Sequence, residues 1–237
     1  MMGLLPLESC AILDRAAMVY DFHTHTCTTD GALSPLELVR RALVNGYRAI
    51  AITDHVAAGY LERLITETAA DCALARHHWS IDAIPGVELT HVPSTAIADT
   101  ARKAKELGAT LVVVHGETPS EPVEPGTNLA AIESPHVDIL AHPGFLTLEE
   151  AKLAASNNVY LEITTRRNHA SANKHVAEMA RVAGAKLLVN SDAHDEFDLL
   201  TVELARDTAR EAGLSDDELD TVLHANPASL LRMLQAQ

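Results

Sequence analysis

Cysteine, aromatic residues, positive charge and long apolar runs are all scarce in this chain of 237 residues. The three cysteines, Cys10, Cys27 and Cys72, are an odd number without a CxxC pair, which argues against a disulfide framework and a thiolate zinc site. Small thiols in a reducing, cytoplasmic setting are expected instead. Aromatic residues make up 3% of the chain, too few for the stacking platforms that bind single-stranded nucleic acid. Asp plus Glu number 33 against 18 Lys plus Arg, a formal net charge of −15. So acidic a surface repels long nucleic acid and anionic membrane unless a local site reverses the sign. No apolar run approaches the ~20 residues of a membrane span. The opening MMGLLPLESCAILDRAAMV lacks a basic leader and carries Glu8 and Asp14. Residues 1–18 are therefore expected to form a short extension with a helical turn or more, and 19–237 the functional domain. Met18 is a second candidate start, because a strand follows it directly. Glycine-rich GxGxxG and P-loop patterns are also missing, which counts against nucleotide-cradling folds.

What the chain does contain is an alternation of short β-branched runs and amphipathic stretches. Strands are expected at Val19–His23, Arg48–Thr53, Ile81–Val87 (interrupted by Pro85-Gly86), Thr110–Val114, Val137–Ala141, Val159–Ile163 and Lys186–Val189. Between them lie helices near Pro35–Asn45, Gly59–His77, Thr95–Leu107, Leu148–Ser156 and Lys174–Ala183. Two more, near Leu199–Ala212 and Asp216–Leu234, close the chain. Ser34 before Pro35, with Glu37 three residues on, is an N-cap signature. The strands are almost wholly apolar, as parallel strands covered on both faces are. Strand–helix repetition implies an α/β fold with a parallel sheet inside its helices. Seven such units fit a closed barrel better than an open sheet.

The thirteen histidines carry most of the functional signal. The expected strands end, in order, in Asp21-Phe22-His23-Thr24-His25, Thr53-Asp54-His55, Val87-Glu88, His115-Gly116-Glu117, His142-Pro143-Gly144 and, after the last, Asp192-Ala193-His194. In a parallel barrel these ends converge on one face. Residues two apart in extended chain share a side, so His23 with His25, and Asp192 with His194, can bind one ion or bracket two. Imidazole and carboxylate without thiolate suit zinc, manganese or iron, and Glu88 is placed to bridge. Eight candidates exceed the four ligands of one tetrahedral site, so two to three divalent ions are implied. One histidine at a strand end is more often a satisfied packing residue than a ligand, but six strands sharing that feature is not a packing coincidence. His77, His78 and His224 read as solvated or packing residues, His136 as a residue of the opposite face, and His91 and His175 as ambiguous.

The motifs HxH, TDH, PGVE, VVHG, AHPG and SDAH, in this order, resemble the PHP (polymerase and histidinol phosphatase) superfamily. GYRAIAITDH, IPGVELTHVP, VVVHGET, PGTNLAAIE and DILAHPG are similar to archaeal-type histidinol-phosphatase-like members. The resemblance implies a distorted seven-stranded (β/α)7 barrel with a trinuclear metal cluster that hydrolyses phosphoesters. It places ligands at His23, His25, His55, Glu88, His115, His142, Asp192 and His194, and a ninth at Asp30. Asp21 and Asp54 would each fix a ligand tautomer by accepting an imidazole N–H.

On this reading water ionises between the ions and attacks phosphorus in line. His194, His169 or water protonates the leaving oxygen, and Asp192 and Glu88 complete the catalytic set. The sixth strand ends without a ligand but is followed by Arg166-Arg167, one of which is expected to clamp phosphate. The substrate class is a small phosphomonoester. Three other functions compete with it: nucleotide phosphodiesterase or nuclease action, a non-catalytic metal-binding module, and amidohydrolase-type deamination. The last usually needs a bridging lysine where this chain has His115 and His142.

Overall fold

The computed structural model describes residues 18–236. The expectations for residues 1–17, including Cys10 and the helical turn, lie outside the described residues. Seven parallel strands run in the order β1 (Val19–Asp21), β2 (Tyr47–Ile52), β4 (Asp82–Leu89), β5 (Leu111–His115), β6 (Ile139–Ala141), β7 (Tyr160–Thr164) and β8 (Leu187–Asn190). A two-residue strand, β3 (His55–Val56), adds to β4. Helices fill the intervals: α1 (Pro35–Val44), α2 (Leu61–His78), α3 (Ile97–Glu106), α4 (Thr127–Glu133), α5 (Leu148–Asn157), α6 (Asn173–Ala183), α7 (Val202–Glu211), α8 (Asp216–Asp220) and α9 (Asn226–Gln235). The result is a nearly closed α/β barrel. The seam between β1 and β8 is joined at its carboxyl end, where His25 N donates to Ala193 O at 2.8 Å and Asp192 N donates to His23 O at 2.9 Å.

Strand alternation sorts the core into two layers. Ile50, Ile52, Val112, Val114, Leu161, Ile163 and Val189 point outward and pack with helix residues such as Leu38, Leu64 and Val176. Ala49, Ala51, Ile84, Leu111, Val113, Ile139, Tyr160 and Leu188 point inward, and Leu230, Leu231 and Leu234 of α9 join them as a plug. Continuing each inward register one or two steps toward the carboxyl end reaches Glu88, His115, Glu162 and Asn190. The alternation that fills the barrel with hydrocarbon therefore also delivers polar groups to its other end.

Local chemistry explains most boundaries. The Ser34 side chain accepts from Glu37 N with Pro35 in the first turn, and Thr147 and Glu150 form a full capping box on α5. Three details depart from the sequence reading. The expected break at Pro85-Gly86 is absent, because Pro85 needs no N–H where its carbonyl accepts from Thr110 N, and Gly86 lets Thr53 and Leu111 approach. Helix α4 was not foreseen, being one seven-residue piece whose N-cap is Gly126 and whose first N–H groups are met by the distant Glu117 carboxylate, at 2.9 Å from Gly126 N and 3.0 Å from Asn128 N. The expected continuous helix 216–234 is interrupted by a π-turn, Thr221–Ala225, just before Pro227, whose missing N–H breaks the ladder.

Candidate metal centre and active site

The expected ligand groups meet at the carboxyl end of the barrel. Four sets have ligand atoms within 4.8 Å of one another: His23, Glu88 and His142; His23, His25 and Asp192; His142, His169 and Asp192; and His25, Asp30, His55 and His194. His115 approaches Glu88 Oε1 through Nδ1 at 3.4 Å, while its Nε2 turns to the carbonyl of Glu121 at 3.4 Å. Glu88 is central and fully buried, with its Oε1 3.4 Å from His23 Nε2 and 3.6 Å from His142 Nε2. Its Oε2 lies 2.6 Å from His55 Nδ1. The inner groups, His23, Glu88, His142 and Asp192, have side chains no more than 4% exposed. The outer ones are open: 53% for Asp30, 24% for His55 and 15% for His194.

Backbone strain marks the same place. His142 and Asp192 have φ of 28° and 55°, in the left-handed region that side chains other than glycine rarely occupy. Such residues cost roughly 1–3 kcal/mol each and persist where the surroundings over-determine them. Here the neighbouring chain is crowded: a Cβ on Gly116 would strike the Ala141 carbonyl and lie 2.8 Å from Pro143 Cα. The pocket-lining His91 shares this conformation, with φ 54°.

Six buried atoms of these groups lack a hydrogen-bond partner: His23 Nε2, His25 Nδ1 and Nε2, Glu88 Oε1, His115 Nδ1 and His142 Nδ1. Orphaned polar atoms at this density cost far more than a fold tolerates unless something satisfies them. Their donor chemistry fits divalent cations with nitrogen and oxygen preference. The proton equilibria agree. Burial and the neighbouring His55 hold His25 well below its ordinary value, and burial with His115 does the same to His142. Neutral imidazole is the ligand form. Burial lifts the Asp192 carboxyl to about 8. Against burial, Glu88 raises His55 to about 9, and Glu162 with Glu88 and Asp192 raises His23. Bound cations would reverse this logic and expel those protons.

The supporting groups differ from the expected ones. Asp21 and Asp54 hold no imidazole. Asp21 accepts from the Ser191 hydroxyl (2.5 Å) and N (3.1 Å) and from the Tyr47 hydroxyl (3.2 Å). Asp54 accepts from Thr26 N and Oγ1 (both 2.7 Å) and Thr29 Oγ1 (2.8 Å). Asp21, at the end of β1, thus ties β2 to the segment after β8, and Asp54, just after β2, ties the loop that follows His25. Pure acceptors orient two imidazoles, Glu162 at His23 Nδ1 (2.8 Å) and the Asp192 carbonyl at His194 Nδ1 (2.9 Å), while His55 Nδ1 faces both Glu88 Oε2 (2.6 Å) and Thr90 Oγ1 (2.7 Å). Glu162 is the main residue the sequence reading missed. A glutamate inside the apolar run Tyr160–Thr164, in phase with inward Tyr160, was the available signal.

Above the cluster lies an open cavity of about 410 Å³. Arg166, Asn168, His169, Ser120, Glu121, His91 and Tyr60 form its walls. Arg166 is half-buried, its Nη1 donating to the Asp192 carbonyl (3.2 Å) and Asp198 (3.4 Å). Arg167 is exposed and outside the walls. His169 stacks on His142 with centroids 4.4 Å apart and contacts Ser120 and Thr118 through Nδ1. Burial and His115 lower it to about 4, and burial lowers His194 as well. Both are neutral near pH 7, which suits ligation or hydrogen bonding better than proton donation. Of the histidines set aside, His77 and His78 are exposed and His224 is buried at the opposite end.

Comparison with known proteins agrees with this geometry. The PHP domain matches residues 20–118. The uncharacterized protein MJ1295 of Methanocaldococcus jannaschii is 48% identical over 218 residues, covering 92% of this chain and all of that protein. The probable phosphatase TTE1963 of Caldanaerobacter subterraneus subsp. tengcongensis is 30% identical over 78% of this chain and 80% of its own length. Among solved structures, the histidinol phosphate phosphatase of Lactococcus lactis, complexed with zinc, L-histidinol and phosphate, superposes with a TM-score of 0.58. It is 16% identical and covers 84% of this chain and 95% of that one, a likeness of fold. With a barrel of seven parallel strands and these relatives, the chain belongs to the PHP domain family of phosphoesterases.

Proposed function

We propose that the chain is a metal-dependent phosphatase acting on a small phosphomonoester, with two to three divalent ions held by His23, His25, Asp30, His55, Glu88, His115, His142, Asp192 and His194. The observation that carries this reading is the group of partnerless buried nitrogen and oxygen atoms beneath an open cavity. Zinc, manganese or iron there would lower the pKa of water toward ~7 and polarise phosphoryl oxygens. The ligand carboxylates number three among six imidazoles, so a loaded site is locally positive within a chain of net charge −15. That local sign lets an acidic protein accept a phosphate dianion.

The chain's own residues supply orientation. Glu162 fixes His23 so that Nε2 faces the cluster. Arg166, anchored by Asp198 and the Asp192 carbonyl, offers guanidinium donors to the phosphoryl oxygens. Neutral His169 and Ser120 line the wall beside it and can hydrogen-bond the substrate. The deciding experiment is a panel of phosphomonoesters and phosphodiesters assayed with manganese, zinc and iron. Turnover of small monoesters, abolished by chelation, is expected. Activity confined to diesters or nucleic acid would replace this reading with a nuclease, and chelator-insensitive turnover would remove the metal.

A further inference from the structure

The ligand groups fall into two unlike environments. His23, Glu88, His142 and Asp192 sit on or directly after barrel strands and are buried. The outer set, Asp30, His55 and His194 with the buried His25 that it shares with the inner groups, depends on Asp30, which no strand carries. Asp30 belongs to a tight turn spanning residues 26–31 and is half exposed. Its Oδ2 nevertheless lies 3.2 Å from His194 Nε2 and 3.5 Å from His55 Nε2. Something must hold the turn in register, and the contacts converge on one fully buried side chain. Asp54 accepts from Thr26 N, Thr26 Oγ1 and Thr29 Oγ1, all within 2.8 Å, and Thr29 Oγ1 in turn meets Asp30 Oδ1 at 3.2 Å. The turn closes on itself through Thr29 N and Gly31 N to the Thr26 carbonyl. Gly31 packs so near His25 that an added Cβ would lie 2.6 Å from its carbonyl oxygen.

We propose that Asp54 is the positioning residue of an outer, exchangeable cation site: it pins the 26–31 turn and thereby places Asp30 against His55 and His194. The proposal rests on the metal-dependent reading above. It assigns Asp54 no contact with substrate or ion. Its physical basis is that one carboxylate satisfies the two buried donors of Thr26 and the part-buried hydroxyl of Thr29 together, so the backbone N–H of Thr26 is left unpaired and the turn loses its shared anchor if Asp54 is lost. The deeper groups lie on β4 (Glu88) and close after the ends of β1, β6 and β8, outside the 26–31 turn, and do not share this dependence. Exposure of Asp30, His55 and His194 makes the outer ion the first to leave.

The test is elemental analysis of zinc-loaded full-length protein equilibrated against graded zinc–chelator buffers. Wild type should lose one ion before the rest, and Asp30→Asn should mark that step by weakening it. Asp54→Ala should move the same step by about ten- to a hundredfold in free zinc, the range for residues that orient ligands, and leave the later steps in place. Thr29→Val, which removes one of the three donors, should shift it in the same direction by less. Equal weakening of every step, or none in Asp54→Ala, overturns the proposal. If Asp54→Ala fails to fold by circular dichroism, Thr29→Val decides: no shift of the Asp30-sensitive step overturns it. A wild type that binds no zinc would instead overturn the metal-dependent reading itself.

Discussion

Replacing Glu162 by Gln isolates the group that the barrel places behind the ligands. Glu162 Oε2 takes His23 Nδ1 at 2.8 Å and Asn190 Nδ2 at 2.9 Å, and Oε1 accepts from His142 N at 3.2 Å. The side chain is completely buried, so no water can stand in. Gln keeps the shape but has one acceptor oxygen. With that oxygen toward His23 and Asn190, its amide faces the His142 N–H; turned over, it faces the other two. Either orientation sets a buried donor against a donor, costing about 1–3 kcal/mol of folding free energy in the ion-free protein. The bond holding His23 also changes from charge-assisted to neutral, a loss of about 1–1.5 kcal/mol. At 1.4 kcal/mol per decade, zinc affinity at the His23 site should fall roughly tenfold. Denaturant unfolding of ion-free protein and zinc competition against a chromophoric chelator measure the two parts separately. Wild-type values in both would refute the role assigned to Glu162.

Three further outcomes follow from the same geometry. Arg166→Ala should lower kcat/KM for phosphate esters about ten- to a hundredfold with metal content unchanged and Arg166→Lys intermediate; Arg167→Ala should be close to neutral, since only Arg166 lines the cavity. Steady-state kinetics of the three variants check this, and equal effects at both positions would contradict it. At the other end of the barrel, Lys105→Met leaves the buried Asp138 carboxylate without the ammonium 2.7 Å away. Unfolding curves should show a loss of about 3 kcal/mol, the lower figure for breaking a buried pair, with the active site untouched. Finally, Asp192 at about 8 and His55 at about 9 are protonated at pH 7 without ions. Binding must expel those protons, so zinc affinity should rise between pH 6 and 9. Calorimetry at pH 7 in buffers of different ionisation enthalpy should report proton release, and none would contradict the assignment.

Local sequence determined the element types, because each signal acts over a few residues. Ser34-Pro35 and Thr147 with Glu150 cap helices wherever they occur, and β-branched runs such as Leu111–Val114 need no distant partner to favour extension. The order of strand-end motifs also identified the ligand candidates, since parallel strands can end on only one face. Tertiary structure decided the rest. Which acid orients an imidazole depends on the inward phase of a neighbouring strand: Glu162 reaches His23 across 139 residues of sequence. Asp54, beside the candidate ligand His55, anchors a loop instead. Arg166 and Arg167 are adjacent and chemically equal, and only the direction of the chain after β7 turns one into the cavity and the other to solvent. The strained φ at His142 and Asp192 was equally illegible, because it is imposed by packing between segments and not by the residues that bear it.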